Sequence, residues 1–194
     1  MMDRKYITSK AFEKIDFRQN QLEKSEFENC RFIDCDFSSA DFSDMLFVDC
    51  EFSSCNLSLV KLTKTTFQKV NFKNCKMLGL HFPDCNQFGI AFSFFKCSLN
   101  HSTFYKTKIK NTIFRNSQLQ EVDFTECDLS NALFDDSDLL NAIFEYTNLE
   151  KADFRTAYNF SIDPEVNKIN RAKFSSMNLA GLLSKYDIEI DDVK

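Results

Sequence analysis

The chain carries a large apolar residue at every fifth position through most of its length. Taking that position as i, it is filled by Phe27, Phe32, Phe37, Phe42 and onward to Phe82, then in a shifted frame from Leu99, Phe104 and Ile109 to Phe154. Position i−2 is mostly small (Cys35, Ala40, Cys55, Thr65, Ser102, Ala132, Ala152), and i−1 is usually polar, often Asp or Asn. Self-similarity at a fixed period decides an architecture before any single element is assigned. Five is neither of the regular periods. On an α-helix the stripe would advance by about 140° per repeat, so no one face could be buried. On a continuous strand, i and i+5 would point to opposite faces. The pattern closes if each quintet is one short side of a coil, with i and i−2 inward and the other residues facing solvent or turning the corner. Four such sides make a coil of 20 residues, with neighbouring coils stacked about 4.8 Å apart. The sequence therefore predicts an all-β quadrilateral solenoid.

Cys35-Asp36-Phe37-Ser38-Ser39, Ala40-Asp41-Phe42-Ser43-Asp44 and Ala152-Asp153-Phe154-Arg155-Thr156 resemble the motif of the pentapeptide-repeat family: a small residue, Asp or Asn, Leu or Phe, then two polar residues. The resemblance covers roughly residues 15–180. It implies a right-handed quadrilateral β-helix with Phe and Leu stacked inside.

Phe accounts for 23 of 194 residues, whereas Gly is 3, Pro is 2 and Trp is absent. So few glycines leave the corners to Asn, Ser and Asp, whose side chains support turns. The eight cysteines (Cys30, Cys35, Cys50, Cys55, Cys75, Cys85, Cys97 and Cys127) fall in the small inward slot that elsewhere holds Ala, Ser or Thr. They read as small buried hydrophobes rather than a disulfide or zinc framework, and His81 and His101 complete no ligand set. Unbridged thiols and the lack of an opening n-region and h-region point to a reducing, cytoplasmic location. No apolar run approaches a membrane span. There is no Gly-rich phosphate loop and no nucleophile–His–acid constellation, so neither catalysis nor a cofactor or metal is expected.

Along the chain, 1–14 reads as an N-terminal cap or irregular first coil, and 15–82 as a first stack. Residues 83–98 hold a slip of frame, an accommodated kink with no site. A second stack spans 99–176, with a loop bulging at 157–166. In the tail, 177–194, Leu179, Leu182, Leu183 and Tyr186 have the spacing of a short helix, and Ile188 and Ile190 alternate like a strand. So short a helix must pack on something. A second copy of the chain is expected there, giving a homodimer as related proteins do through their C-terminal segments; capping of the solenoid end is the alternative.

Outward positions carry the remaining information. Asp34 to Glu51 holds six acids and no Lys or Arg, and Glu121 to Asp153 holds ten acids opposed by Lys151. Basic residues gather at Lys61–Lys76 and Lys106–Arg115. A net charge of −5 disfavours direct nucleic-acid binding and permits a protein partner with a basic surface, including one that normally grips DNA. The expected partner-binding acids are Asp34, Asp36, Asp41, Asp44, Asp123, Asp128, Asp135, Asp136 and Asp138. The near-200 length, the mid-chain slip, the Ile162–Ile169 segment and the Gly181–Ile188 region resemble the Qnr, MfpA and McbG proteins within the family. That resemblance implies a non-enzymatic DNA mimic that binds DNA gyrase or topoisomerase IV and gives quinolone resistance or immunity to a gyrase poison. The alternative is a structural or adaptor solenoid for an unrelated protein.

Overall fold

A computed structural model describes residues 5–19, 22–186 and 188–190. The quintets are the sides of a right-handed quadrilateral β-helix, and the backbone ladders give its register directly. Lys5 pairs with Ser25, Glu26 with Leu46 and Leu46 with Thr66, every pair parallel and one 20-residue coil apart. One face is a sheet of β1 (Lys5–Thr8), β3 (Ser25–Glu28), β5 (Leu46–Val48) and β7 (Thr66–Gln68). The next carries β2 (Ala11–Glu13), β4 (Arg31–Ile33), β6 (Glu51–Ser53), β8 (Val70–Lys73), β9 (Phe92–Phe95), β10 (Ile113–Arg115) and β11 (Leu133–Asp135) in ladder order. The other two faces are held by single bridges, such as Asp36 with Asn56 and Thr103 with Asp123.

Each side satisfies its backbone groups on the coils above and below, as a buried backbone requires. Phe42 N donates to Lys61 O at 2.9 Å, and Lys61 N donates to Ala40 O at 2.9 Å. The corner residue at i+2 takes a left-handed conformation in almost every quintet, including Asn29 (φ 52°), Ser39 (φ 60°), Leu59 (φ 59°) and Asn131 (φ 59°). Such a conformation costs a non-glycine residue about 1–2 kcal/mol. Here it is offset by ladder bonds that run through the corners, Ser39 N to Ser58 O at 2.9 Å among them. That continuity explains how a chain with 3 glycines turns so many corners.

The bore is filled by columns of rings. Phe12, Phe32, Phe52, Phe72, Phe94, Phe114, Phe134, Phe154 and Phe174 form one unbroken column of nearly parallel rings, with steps such as Phe32–Phe52 at 4.6 Å and Phe72–Phe94 at 5.3 Å. Rings in neighbouring columns meet edge to face, as Phe104 and Phe114 do at 6.1 Å and 82°. Both geometries suit the aromatic quadrupole. Most i−2 slots are buried, and many hold a small residue with a polar atom. Cys50 Sγ donates to Phe27 O at 3.4 Å and Thr65 Oγ1 to Phe42 O at 2.8 Å. Cys, Thr and Ser recur there because each offers a small side chain with one donor for a carbonyl one coil back. All eight cysteines are buried and unbridged.

Four expectations change. Residues 5–13 are β1 and β2, paired in register with β3 and β4, so a regular first coil replaces the irregular cap. The slip at 83–98 does not divide the solenoid, because β8 pairs with β9 and the Phe72–Phe94 stack crosses it. The offset rises to 22 residues there (Val70 with Phe92, His81 with Thr103) and returns to 20 by Ser93 with Ile113. The extra residues leave only the first face, whose strand ladder ends at β7. At 157–166 the chain keeps the coil register at both ends, Asp138 with Tyr158 and Asn148 with Lys168, and buries Phe160 and Ile162. It is an irregular side of the last coil rather than an inserted loop. In the tail, the short helix is two 3-10 turns, Ser176–Leu182 and Ser184–Tyr186, and residues 188–190 form no strand.

Candidate partner-binding surfaces

The coil geometry scatters the expected acidic face. A run of about twenty residues circles the rod once, so acids adjacent in sequence lie on different sides. Asp34 and Asp136 are exposed corner residues between the second and third faces, with φ of 53° and 48°. Asp36 and Asp138 lie on the third face, Asp41 and Asp123 on the fourth, Asp128 on the first and Asp135 on the second. Asp44 occupies the corner before the first face. The two clusters are belts, not a stripe.

Most of these carboxylates also work within the fold. An Asp or Asn at i−1 accepts from the backbone N–H two residues on, closing an Asx turn. Ser38 N donates to Asp36 at 2.8 Å, Ser43 N to Asp41 at 2.8 Å, Thr125 N to Asp123 at 2.9 Å and Ser130 N to Asp128 at 3.2 Å. Asp138 is 9% exposed and accepts from Gln120 (2.7 Å), Leu140 N (3.2 Å) and Asn159 (2.8 Å), so neighbouring side chains cover it on the third face and leave it little surface to offer a partner. The basic blocks lie one coil from the acidic ones. Lys24 meets Asp44 at 2.7 Å, Arg18 meets Asp36 at 3.5 Å, Lys61 meets Asp41 at 3.5 Å, Lys110 meets Asp128 at 3.2 Å and Arg115 meets Asp135 at 2.6 Å. Exposed pairs of this kind contribute little stability, but they lower the local field.

A denser acidic surface lies farther along the rod. Residues 116–166 hold twelve acids against Lys151 and Arg155, although cations from outside the stretch reach several of them, Lys106 meeting Glu126 at 3.4 Å, Lys173 meeting Asp153 at 3.7 Å and Lys185 meeting Asp163 and Glu165. Glu121, Asp123, Glu126 and Glu145 share the fourth face and its corners across successive coils, in the ladder that joins Asp123 to Ile143. Tyr146 and Ile143 are exposed among them, above a cleft of about 580 Å³ that also takes in Ser161, Asp163 and Val166.

The tail caps the open core. Leu182 packs against it, and a Cβ on Gly181 would lie 2.4 Å from Phe160 O, so only glycine fits beneath the last side. Lys185 bonds Asp163 at 2.8 Å and Glu165 at 2.7 Å, and Tyr186 donates to Glu165 at 3.1 Å. The Lys185 ammonium holds both carboxyls below their usual range. Of the expected dimer residues, Leu179, Leu183, Tyr186, Ile188 and Ile190 remain exposed, and Met177, which the helical spacing passed over, is 95% exposed.

Catalytic features are sparse. His81 and His101 are surface groups beside Asp84 and Glu121, each at 3.1 Å. Burial pushes the Cys50 and Cys127 thiols up to about 12, away from nucleophilic reactivity at neutral pH. Among the described residues no His, Cys, Asp or Glu cluster is arranged to hold a metal, and no helix is long and apolar enough to cross a membrane.

The pentapeptide repeat region family matches residues 25–93 and 90–154, and the chain belongs to that family. A trypsin-treated variant of QnrB1, described as a plasmid-mediated fluoroquinolone resistance protein, superposes with a TM-score of 0.63 at 15% identity, covering 97% of this chain and 98% of that one. A second trypsin-treated QnrB1 variant gives 0.62 at 14% identity over 97% and 100%. At such identity the likeness is one of fold. No curated protein matches in sequence.

Proposed function

We propose that this protein is a cytoplasmic, non-enzymatic DNA mimic that binds a type II topoisomerase, DNA gyrase or topoisomerase IV, and protects it from quinolones or a gyrase poison. The observation that carries the reading is the acidic belt of residues 116–166 on a slim, stiff rod, with Glu121, Asp123, Glu126 and Glu145 gathered on one side. Carboxylates repeated at the spacing of stacked coils, about 4.8 Å, offer a basic groove a charge pattern comparable to duplex phosphates. The fold likeness to QnrB1 supports the same reading. In this proposal two copies pair through the exposed tail residues Leu179, Leu183, Tyr186, Ile188 and Ile190, which lengthens the rod. Asp34 and Asp136, exposed at corners, stay in the contact set, Glu121, Glu126 and Glu145 join it, and Asp138 leaves it.

The test is a titration into gyrase supercoiling and quinolone-cleavage assays. Inhibition of supercoiling or rescue from the drug is expected; neither effect at excess protein would reject gyrase as the partner. Asp123→Asn with Glu126→Gln and Glu145→Gln removes charge while Asn keeps the turn acceptor. Undiminished binding with unchanged salt dependence would reject the mimicry. An adaptor role for an unrelated protein is the second reading, favoured by the ion pairs that neutralise Asp36, Asp41, Asp44, Asp128 and Asp135.

A further inference from the structure

Between the two acidic belts the rod reverses sign. Residues 52–115 contain ten Lys or Arg and one acid, Asp84. In the middle of this band the surplus residues of the frame slip push Phe88 into solvent, where it is 82% exposed. It is the most exposed ring among the described residues, in a protein that buries nearly all its other phenylalanines.

The segment that carries Phe88 is firmly held. Phe88 N donates to Asn86 Oδ1 at 3.1 Å, and Asn86 Nδ2 donates to Thr66 Oγ1 at 3.1 Å on the preceding coil. Gln87 Nε2 turns back onto Phe82 O at 3.2 Å and Cys85 O at 3.0 Å. Gly89 takes φ 68°, with its face against Gln68. A ring presented on a backbone held in this way needs no ordering of the segment on binding, which favours an anchor residue. By register, the neighbouring coils on this face present Thr66 and Gln68 on one side and Lys108 and Lys110 on the other, with Lys64, Lys69 and Lys106 at the corners.

We propose that Phe88 and its lysine surround form a docking surface for an acidic protein segment with an apolar residue at its centre, the ring entering that apolar contact and the lysines meeting the flanking carboxylates. The surface is opposite in charge to the one invoked for gyrase and does not depend on that reading. Lys69, Lys106 and Lys110 also reach Asp49, Glu126 and Asp128 of their own rod, so Lys64 and Lys108 carry most of the attraction, and a nucleic-acid strand fits less well because acidic belts end the basic band on both sides. The length it offers is that of a few coils rather than a continuous track.

The experiment is fluorescence anisotropy of the full chain with three labelled probes at low ionic strength: a peptide of Glu and Asp around a central Leu-Phe pair, an all-Glu peptide of equal charge, and oligo-dT. Saturable binding of the first peptide is expected, weaker binding of the second, and a loss of about tenfold or more with Phe88→Ser. Lys108→Glu with Lys110→Glu should weaken binding of both peptides. Circular dichroism checks each variant's fold, and Phe88 supports no core contact whose loss would unfold it. No binding of the mixed peptide, equal binding by Phe88→Ser, or tighter binding of oligo-dT would overturn the proposal. So would self-association of the unliganded chain that Phe88→Ser abolishes, since the occupant would then be a second copy.

Discussion

Phe42 is fully buried, with Phe37 at 5.3 Å and Phe47 at 5.2 Å. A coil this narrow cannot collapse around a lost ring without breaking the ladder on both sides. Phe42→Ala is therefore expected to cost about 3–5 kcal/mol, read from the denaturant midpoint. A loss under about 1 kcal/mol would put the ring outside the load of the core. The i−1 residue makes a different demand, for an acceptor rather than a charge. Asp123→Asn should leave the melting temperature nearly unchanged, while Asp123→Ala, which strands Thr125 N–H, should cost about 1 kcal/mol. Equal losses would mean that the carboxylate contributes by its charge. Not every outward position is idle. Ser43 and Ser58 at i+1 are buried, and Ser58 Oγ accepts from Leu78 N at 3.3 Å on the next coil.

The elements that depart from the repeat are those that adapt the rod's ends and surface. In the last coil, Asn167 fills an i−2 slot, accepting from Thr147 N at 2.8 Å and donating to Phe144 O at 2.7 Å and Asp163 O at 2.9 Å. It pins an irregular side on which the tail rests. Lys185 then fastens the tail to Asp163 and Glu165, whose ordinary values are 3.8 and 4.5 and which the ammonium lowers. A depressed carboxyl contributes stability that is full above its unfolded value and is lost as pH falls through its folded value. The cap should thus hold above the ordinary carboxyl values of 3.8 and 4.5 and loosen as pH falls below them, seen as faster hydrogen exchange of residues 176–186 while the central coils stay protected. Uniform exchange across that range would exclude the lysine clasp. Truncation after Ser176 tests pairing through the same element: light scattering should report monomers, and a persisting dimer would move the interface elsewhere.

At the scale of the molecule, each coil touches only its neighbours, and stability follows nearest-neighbour sums. Deleting residues 118–137 joins Ser117 to Asp138 at the register they already share, Gln118 pairing with Asp138. The product should be a shorter folded rod with the same β circular dichroism and a smaller denaturant slope; an aggregated product would show that the coils are not equivalent. The inward set, the coil length and the burial of the cysteines were all legible in the sequence, because a five-residue period with a fixed bulky position leaves few ways to bury its side chains. The surface was not legible in the same way. Asp34 to Glu51 reads as one acidic patch in a line of text, but the chain turns a corner every fifth residue, so neighbours in sequence face different directions while residues twenty apart become neighbours in space. That wrapping set Lys61 against Asp41 and Arg115 against Asp135 and covered Asp138, and the surplus residues of the slip turned Phe88 outward. Local period decided what lies inside the tube; only the stacking of coils, which is a long-range fact, decided which charges and rings share a face outside it.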